Sequence, residues 1–461
     1  MTPISDALVV ILDERSTLAG LERAKRLRMV WTLWETLAEG HGRLLVVTHG
    51  GAEDARLAQE RGVTCVCNIH GLLAYEHLEH AAMGVATELR GCATAVVQTT
   101  DFTCGPLGSA VCAALDHAGV RVGHVAVGSD LSSRQQLYEF GPTSRAAREA
   151  AFREHAACRN AHVVVAGCDP VANDLIWRFN LPEERVRIIP SCVVAERIPV
   201  ATESRPGNTF VAFGPATKRS RLDVAIESVA LMRQTDLPDA ELTILGEGPE
   251  TPRLRALAEE RSVPTRFEKH FRGEEIVEAI ANATVGLYTG ANETHPRPVF
   301  EAMALATPIV LAADPMCALE ITHGVTGIRM TCEPEAIARA LSGLAMDAPW
   351  RDTLGRTGRE RILREHGLKG VSDGMHEAHR AALDAAGQDT AITLSGLILA
   401  SEAVGELPAA QAAQAWAGAI RDHVERLGPW GTGHLEAIRD AVERLCAESA
   451  DLDRRSERPA A

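Results

Sequence analysis

The stretch Tyr288-Thr-Gly-Ala-Asn-Glu293-Thr-His295-Pro-Arg297-Pro298-Val-Phe-Glu301-Ala-Met-Ala-Leu-Ala-Thr-Pro308-Ile-Val310 carries most of the fold in one reading. Tyr288 closes a short apolar run that begins at Val285, the length of a buried strand. Gly290 and Asn292 break that run, and Pro298 suits a helix's first turn, where its missing N–H would have had no partner. Glu301 then falls in that helix's opening turn, and Pro308 opens another strand. Strand, loop, helix and strand in this order form one step of a parallel, helix-covered sheet. Glu293 in the loop and Glu301 in the helix's opening turn would then face one pocket.

Outward from this stretch the alternation continues in both directions. Toward the N-terminus, Val- and Ile-rich runs at 210–213, 241–245 and 265–267 alternate with helical patterns at 222–232 and 252–261, and beyond Val310 a last run falls at 328–330. A second, earlier series has runs at 7–12, 44–47, 63–69, 95–97, 120–127, 163–166 and 186–189, with helices such as 28–37, 105–117 and 145–158 between them. Between the two series lies Val200-Ala-Thr-Glu-Ser-Arg-Pro-Gly-Asn208, polar and broken by Pro and Gly, which reads as a linker. The fold class is therefore α/β, with two Rossmann-like domains facing across a cleft. Domain 1 covers 1–200, the linker 201–208 and domain 2 209–370. Strands stop near Gly370, and the Ala-, Glu- and Arg-rich remainder predicts a helical extension over 371–450 and a disordered tail over 451–461.

Bulk composition agrees and excludes several function classes. The 461 residues, 46% of them hydrophobic, exceed what a single core organises. A net charge of −15, with no long basic run, makes nucleic acid and anionic membrane poor partners. No run approaches the ~20 apolar residues of a membrane span, and the N-terminal run is too short and lacks the basic lead of a signal peptide. The eleven cysteines form no paired C-x-x-C sets and read as reduced structural thiols of a cytoplasmic protein. The only D-x-D string, Asp451-Leu-Asp453, lies in the polar tail, so no metal site is expected. Zinc-hydrolase, serine-esterase, P-loop and dinucleotide fingerprints do not occur.

Glu293 and Glu301 stand eight positions apart, followed by Ala-Met-Ala and a strand opened by Pro. This resembles the Glu-x7-Glu motif of family-4 retaining glycosyltransferases of the GT-B fold. Ile244-Leu-Gly246-Glu-Gly-Pro-Glu250 is similar to that family's strand–turn–helix, and Glu320-Ile-Thr-His-Gly-Val-Thr-Gly327 to its later turn. The resemblance covers roughly residues 90 to 365 and is strong only in the second half.

The resemblance implies that Glu301 accepts hydrogen bonds from the ribose, that Glu293 lies by the donor sugar's hydroxyls, and that the helix at Pro298 directs its positive end at the diphosphate. The nucleotide would be UDP or GDP, a substrate and not a resident cofactor. The family's two cationic positions in the loop after the domain's first strand fall on Pro215 and Ser220 here. Lys218 with Arg219 or Arg221, beside Gly214, are the replacements expected to meet the leaving diphosphate. Thr294, Pro296 and Pro298 stand where the family commonly has glycines, so His295 or Arg297 would compensate through side chains. In domain 1 the family's glycine-rich turn is reduced to Gly20. His49, His70 and Asp101 sit at strand ends as acceptor or sugar contacts, with Asp101 and His70 placed beside Glu293 in the catalytic set.

The function so implied is metal-independent, retaining transfer of a sugar from a nucleoside-diphosphate donor to a small soluble acceptor hydroxyl or thiol, in the secondary-metabolite or mycothiol-type branch. A nucleotide-sugar epimerase, a phosphorylase on the same fold, and a degraded nucleotide-sugar-binding protein remain as rivals. The helical tail is open between a homodimer surface and a packing extension.

Overall fold

A computed structural model of the chain describes residues 3–13, 16–23, 27–71, 74–129, 131–132, 150, 153–154, 157–193, 207–268, 274–291, 295–313, 317 and 319–386. Glu293, most of the expected 145–158 helix and linker, and the expected helices and tail beyond 386 lie outside them.

The chain divides into two compact units. The first holds a seven-stranded sheet of β1 (Ala7–Ile11), β2 (Leu44–Thr48), β3 (Thr64–Cys67), β4 (Thr94–Thr99), β5 (Arg121–Gly128), β6 (Val163–Ala166) and β7 (Val186–Ile188). All pairs are parallel, in the order β3-β2-β1-β4-β5-β6-β7. A parallel sheet needs a crossover between successive strands, and the described crossovers are helical: α1 (Leu18–Arg23), α2 (Leu27–Ala38, its residues to Leu33 grouped with the second unit), α3 (Ala52–Gln59), α4 (Ala74–Glu88), α5 (Gly105–His117) and α6 (Asp169–Phe179). Because helices cover both faces, inner strands are mostly apolar. Every residue of β1 and β6 is buried, whereas the edge strand β7 exposes Ile188.

The second unit repeats the plan with β8 (Thr209–Phe213), β9 (Glu241–Leu245), β10 (Thr265–Glu268), β11 (Val285–Tyr288), β12 (Ile309–Leu311) and β13 (Ile328–Arg329), all parallel, in the order β10-β9-β8-β11-β12-β13. Its helices are α7 (Leu222–Gln234), α8 (Thr251–Glu260), α9 (Glu274–Asn282), α10 (Arg297–Ala304), α11 (Pro334–Met346) and α12 (Ala348–His366). The period of two is visible in β8: Phe210 and Ala212 enter the core on one face, Val211 and Phe213 the core on the other. Truncating a ring as buried as Phe210 on one face or Phe213 on the other would cost about 3–5 kcal/mol, so both faces contribute to stability.

The units are not simple halves of the sequence. The second contains Pro190–Asp373 together with Ala24–Leu33, and the first takes back the chain from Gly374. The helix α13 (Leu368–Ala385) thus begins in one unit and ends in the other. In its second part, His376 Nε2 lies 2.9 Å from the Leu37 carbonyl, and buried His379 lies 3.0 Å from His41 Nε2 and 2.8 Å from Gln98 Oε1.

Candidate donor and acceptor sites

In the second sheet, β8 to β10 run outward in one direction and β11 to β13 in the other, so the topological switch point lies between β8 and β11. Loops after the two flanking strands enclose a crevice at such a point, and ligands bind there in open parallel sheets. These are the loops that carry the second-unit candidates.

The loop after β8 holds a close-packed geometry. Gly214 has φ 139 and Gly246, at the end of β9, has φ 137, both in territory reserved for glycine. A Cβ on Gly246 would overlap the Gly214 carbonyl oxygen, so the two turns touch backbone to backbone. Gly214 N donates to Leu245 O at 3.1 Å, and Glu250 N to Ala216 O at 2.9 Å. On the other side, Ala291 N donates to Arg219 O at 2.9 Å, and the buried Thr289 hydroxyl to Ser220 O at 2.7 Å. The loops after β8, β9 and β11 are therefore one stapled body.

The three basic candidates have different employment. Lys218 is exposed. Arg221 adopts φ 46 and directs Nε to Thr289 O at 3.1 Å and Nη2 to Ala312 O at 3.5 Å, clamping the ends of β11 and β12. Two of its donors are thus committed to carbonyls. Arg219, half-buried, keeps Nη1 buried with no hydrogen-bond partner. A buried guanidinium donor without a partner is costly, and a ligand oxygen is the natural acceptor.

α10 follows, entered through Pro296 with φ −74 and ψ 95. Its first residue is Arg297, one earlier than the sequence suggests, and Pro298 stands second. Two prolines remove two amides, and Val299 N already donates to Pro296 O at 3.0 Å. The helix start is consequently poor in free N–H groups, which shifts the anion-binding task to side chains. Glu301 is half-buried, and among the described residues no side chain bonds its carboxylate. Arg297 is half-buried, its Nη2 3.8 Å from Met29 Sδ.

His295 is placed differently from the expectation of an outward contact. It is 4% exposed, with Phe300 at 4.5 Å and His366 at 5.5 Å between ring centroids. Burial lowers its pKa to about 4, so the ring is neutral near pH 7. The side chains behind it, Glu320 and His366, escaped sequence reasoning. Glu320 was visible only as part of a turn, and His366 carries no local signal.

In the first sheet the switch point lies between β1 and β4. Asp101 follows β4 and flanks it. Its Oδ1 accepts from Thr103 N at 2.8 Å and Thr103 Oγ1 at 2.6 Å, capping the short turn that leads into α5. Gly20 lies inside α1, not in a turn, so it is no remnant of a glycine-rich loop. The buried Asp54 carboxylate takes the α1 amides Leu18 N at 2.7 Å and Ala19 N at 2.9 Å, plus the Thr48 hydroxyl at 2.8 Å. His70 stands exposed after β3, the sheet's edge, edge-on to His80 at 5.9 Å. His49, after β2, meets the buried His77 at 4.7 Å. Neither histidine is at the switch point.

Among the described residues no group of three or more His, Cys, Asp or Glu side chains could hold a metal ion, and no helix is long and apolar enough to cross a membrane. The ten described cysteines are free thiols.

Comparison with known proteins fits this geometry. Residues 196–361 match the family described as Glycosyl transferases group 1. No curated protein matches the sequence. Among solved structures, Alr3699/HepE from Anabaena, in complex with UDP and glucose, superposes with a TM-score of 0.61 at 14% identity, over 80% of this chain and 98% of that one. The sucrose-phosphate synthase (tll1590) from Thermosynechococcus elongatus gives 0.61 at 16% identity, over 81% and 98%. A glycosyltransferase from Rickettsia africae gives 0.61 at 12%, over 82% and 99%. The architecture is the GT-B fold. With the matched segment spanning the whole stapled site, the class is defined: the protein is an enzyme of the glycosyltransferase kind.

Proposed function

We propose that the protein transfers a sugar from a nucleoside-diphosphate donor, UDP- or GDP-linked, to a small soluble acceptor, with retention at the anomeric carbon and without a metal ion, as a family-4 enzyme. The observation that carries this reading is that the stapled loops at one switch point hold a buried cationic donor without a partner and lead to a helix whose carboxylate is bonded by no side chain among the described residues. Arg219 supplies the first and Glu301, on the helix that follows, the second. HepE was solved with UDP-glucose, which supports a nucleotide sugar as the ligand class.

Glu301 accepts from the ribose hydroxyls and fixes the nucleoside. Glu293, assigned by the motif, holds the donor sugar. Arg219, with Lys218 at the loop's exposed tip, neutralises the diphosphate as the glycosidic bond breaks and the leaving oxygen gains charge. Those cations supply the stabilisation that a divalent ion would otherwise give, since α10 has few amides to offer. The departing phosphate oxygen takes the acceptor's proton on the face where the new bond forms, which retains configuration. Asp101 and His70 are acceptor-side contacts, Asp101 at the switch point. The acceptor is small and soluble, a hydroxyl or thiol compound of secondary metabolism.

A thermal-shift panel with UDP-, GDP-, ADP- and dTDP-sugars tests the donor assignment, because a ligand at a hundredfold its Kd adds about 2.7 kcal/mol of stability. A rise with a UDP- or GDP-sugar, kept in chelator and reduced in Glu301→Ala, is the expected result. No shift with any donor overturns it. Product analysis by anomeric proton couplings then separates retention from inversion.

A further inference from the structure

Behind α10, three ionisable side chains from three separate stretches meet in the interior of the second unit. His295 precedes the helix, Glu320 lies between β12 and β13, and His366 ends α12. One carboxylate oxygen, Glu320 Oε1, serves both rings, 3.9 Å from His295 Nδ1 and 3.6 Å from His366 Nε2. Glu320 Oε2 and both His295 nitrogens are buried with no hydrogen-bond partner. Polar atoms in that state call for an explanation.

Proton placement supplies part of one. His366 Nδ1 lies 3.1 Å from the Ser191 carbonyl, which can only accept, so Nδ1 carries its proton. A neutral ring would then aim an Nε2 lone pair at the carboxylate. The contact is attractive only when one more proton lies between Glu320 and His366. Burial pushes the Glu320 carboxyl up, but the adjoining His366 and His295 rings outweigh it and hold it below its ordinary value. His295, facing Glu320, His366 and Arg297, stays neutral. It is one short movement from a hydrogen bond, since 3.9 Å must contract to about 2.8–3.0 Å.

His366 also contacts the start of one of the four places where the chain passes between the units. One passage leaves the first unit at Ile189 and enters the second at Pro190; another runs from Asp373 to Gly374. Val193 N donates to His366 O at 2.9 Å, and the ring holds Ser191, so the start of one crossing segment is tied to the helix that leads into the other.

We infer that Glu320 is a positioning residue that couples the donor-site helix α10 to these crossing segments. This rests on the donor reading above. A nucleotide drawing in the entry of α10 brings His295 within hydrogen-bond reach of Glu320, and the carboxylate passes the constraint through His366 to Ser191 and Val193. Glu320→Gln keeps the shape and removes the charge. His295→Phe fills the same space without polar atoms.

The test is hydrogen exchange on the full chain with and without UDP or GDP, whichever stabilises the unmodified protein, followed over peptides spanning 188–194 and 364–372. In the unmodified protein, nucleotide slows exchange in both segments. In Glu320→Gln, nucleotide Kd stays within about threefold, that protection is lost, and kcat falls about tenfold with little change in donor KM. His295→Phe raises Tm yet loses the same protection, which separates coupling from mere folding. If nucleotide binds and either variant keeps the protection, the coupling is overturned and the donor assignment stands. If neither nucleotide binds the unmodified protein, both fall.

Discussion

The two units solve the same topological problem and then treat their switch points in opposite ways. In the first, the amides at the start of α1 are taken by an internal carboxylate, Asp54, and Asp101 is spent on capping the turn before α5. In the second, the backbone of three loops is stapled to itself, while Arg219 Nη1 has no hydrogen-bond partner and, among the described residues, no side chain bonds the Glu301 carboxylate. A helix start that already holds an anion has little to offer a diphosphate. A rigid loop that carries a buried guanidinium donor without a partner has a great deal. The contrast is a ground, electrostatic and separate from the motif, for proposing the nucleotide site in the second unit.

Three measurements probe this contrast, in decreasing order of effect. Glycine replacement should separate the two turns most sharply. Gly246→Ala forces a side chain into a left-handed conformation and against Gly214 O, and should cost upwards of about 4 kcal/mol, while Gly20→Ala, inside α1, should stay within about 1 kcal/mol. Chemical denaturation of each variant reads both; equal losses would erase the distinction.

Charge removal comes next. Arg219→Ala should lower kcat/KM by roughly 10²–10³, the size of losing one preorganised contact to developing charge. Asp54→Asn, in the first unit, should instead lower stability by about 2–3 kcal/mol through unpaired buried groups, without changing nucleotide affinity. Steady-state kinetics and nucleotide titration of both variants would break the comparison if Asp54→Asn proved the nucleotide-binding mutant.

The smallest effect concerns acid. Burial lowers His41, His77 and His124 in the first unit to about 4, and His295 alone to about 4 in the second. Unfolded imidazoles take protons at about 6.5, so the unfolded state binds more protons than the native one over this range. Stability is therefore lost as pH falls from about 6.5 to 4, by on the order of 2 kcal/mol per histidine. Glu320, its pKa depressed, adds loss only below its ordinary carboxylate value. The first unit should lose more. Melting curves against pH that weakened the second unit first would contradict this.

The architecture was legible to an unusual depth because a covered parallel sheet writes itself as short Val- and Ile-rich runs. Among the described residues all thirteen strands fall on runs read from the sequence, and 105–117 coincides with α5. Boundaries moved by a residue or so at ends such as β3, where flanking apolar residues blur the limit. What stayed hidden depends on through-space contact. No local pattern says that Ala24–Leu33 joins the second unit, or that the chain beyond Gly374 returns to the first. The site was half legible: a loop rich in basic residues was evident, but only geometry distinguishes Arg221, which clamps carbonyls, from Arg219, which does not. His295 looked like an outward substitute for missing glycines, whereas an apolar neighbour, Phe300, and two distant side chains hold it inside.

The late return of α13 has a consequence for biogenesis. Its second part packs beside Leu37, His41 and Gln98, groups synthesised several hundred residues earlier. At roughly 5–20 residues per second, a ribosome leaves that surface uncovered for tens of seconds, long enough for the second unit to fold ahead of it. The first part to be made is thus the last to be completed, and any chaperone dependence should end only when Gly374 and the residues after it clear the exit tunnel.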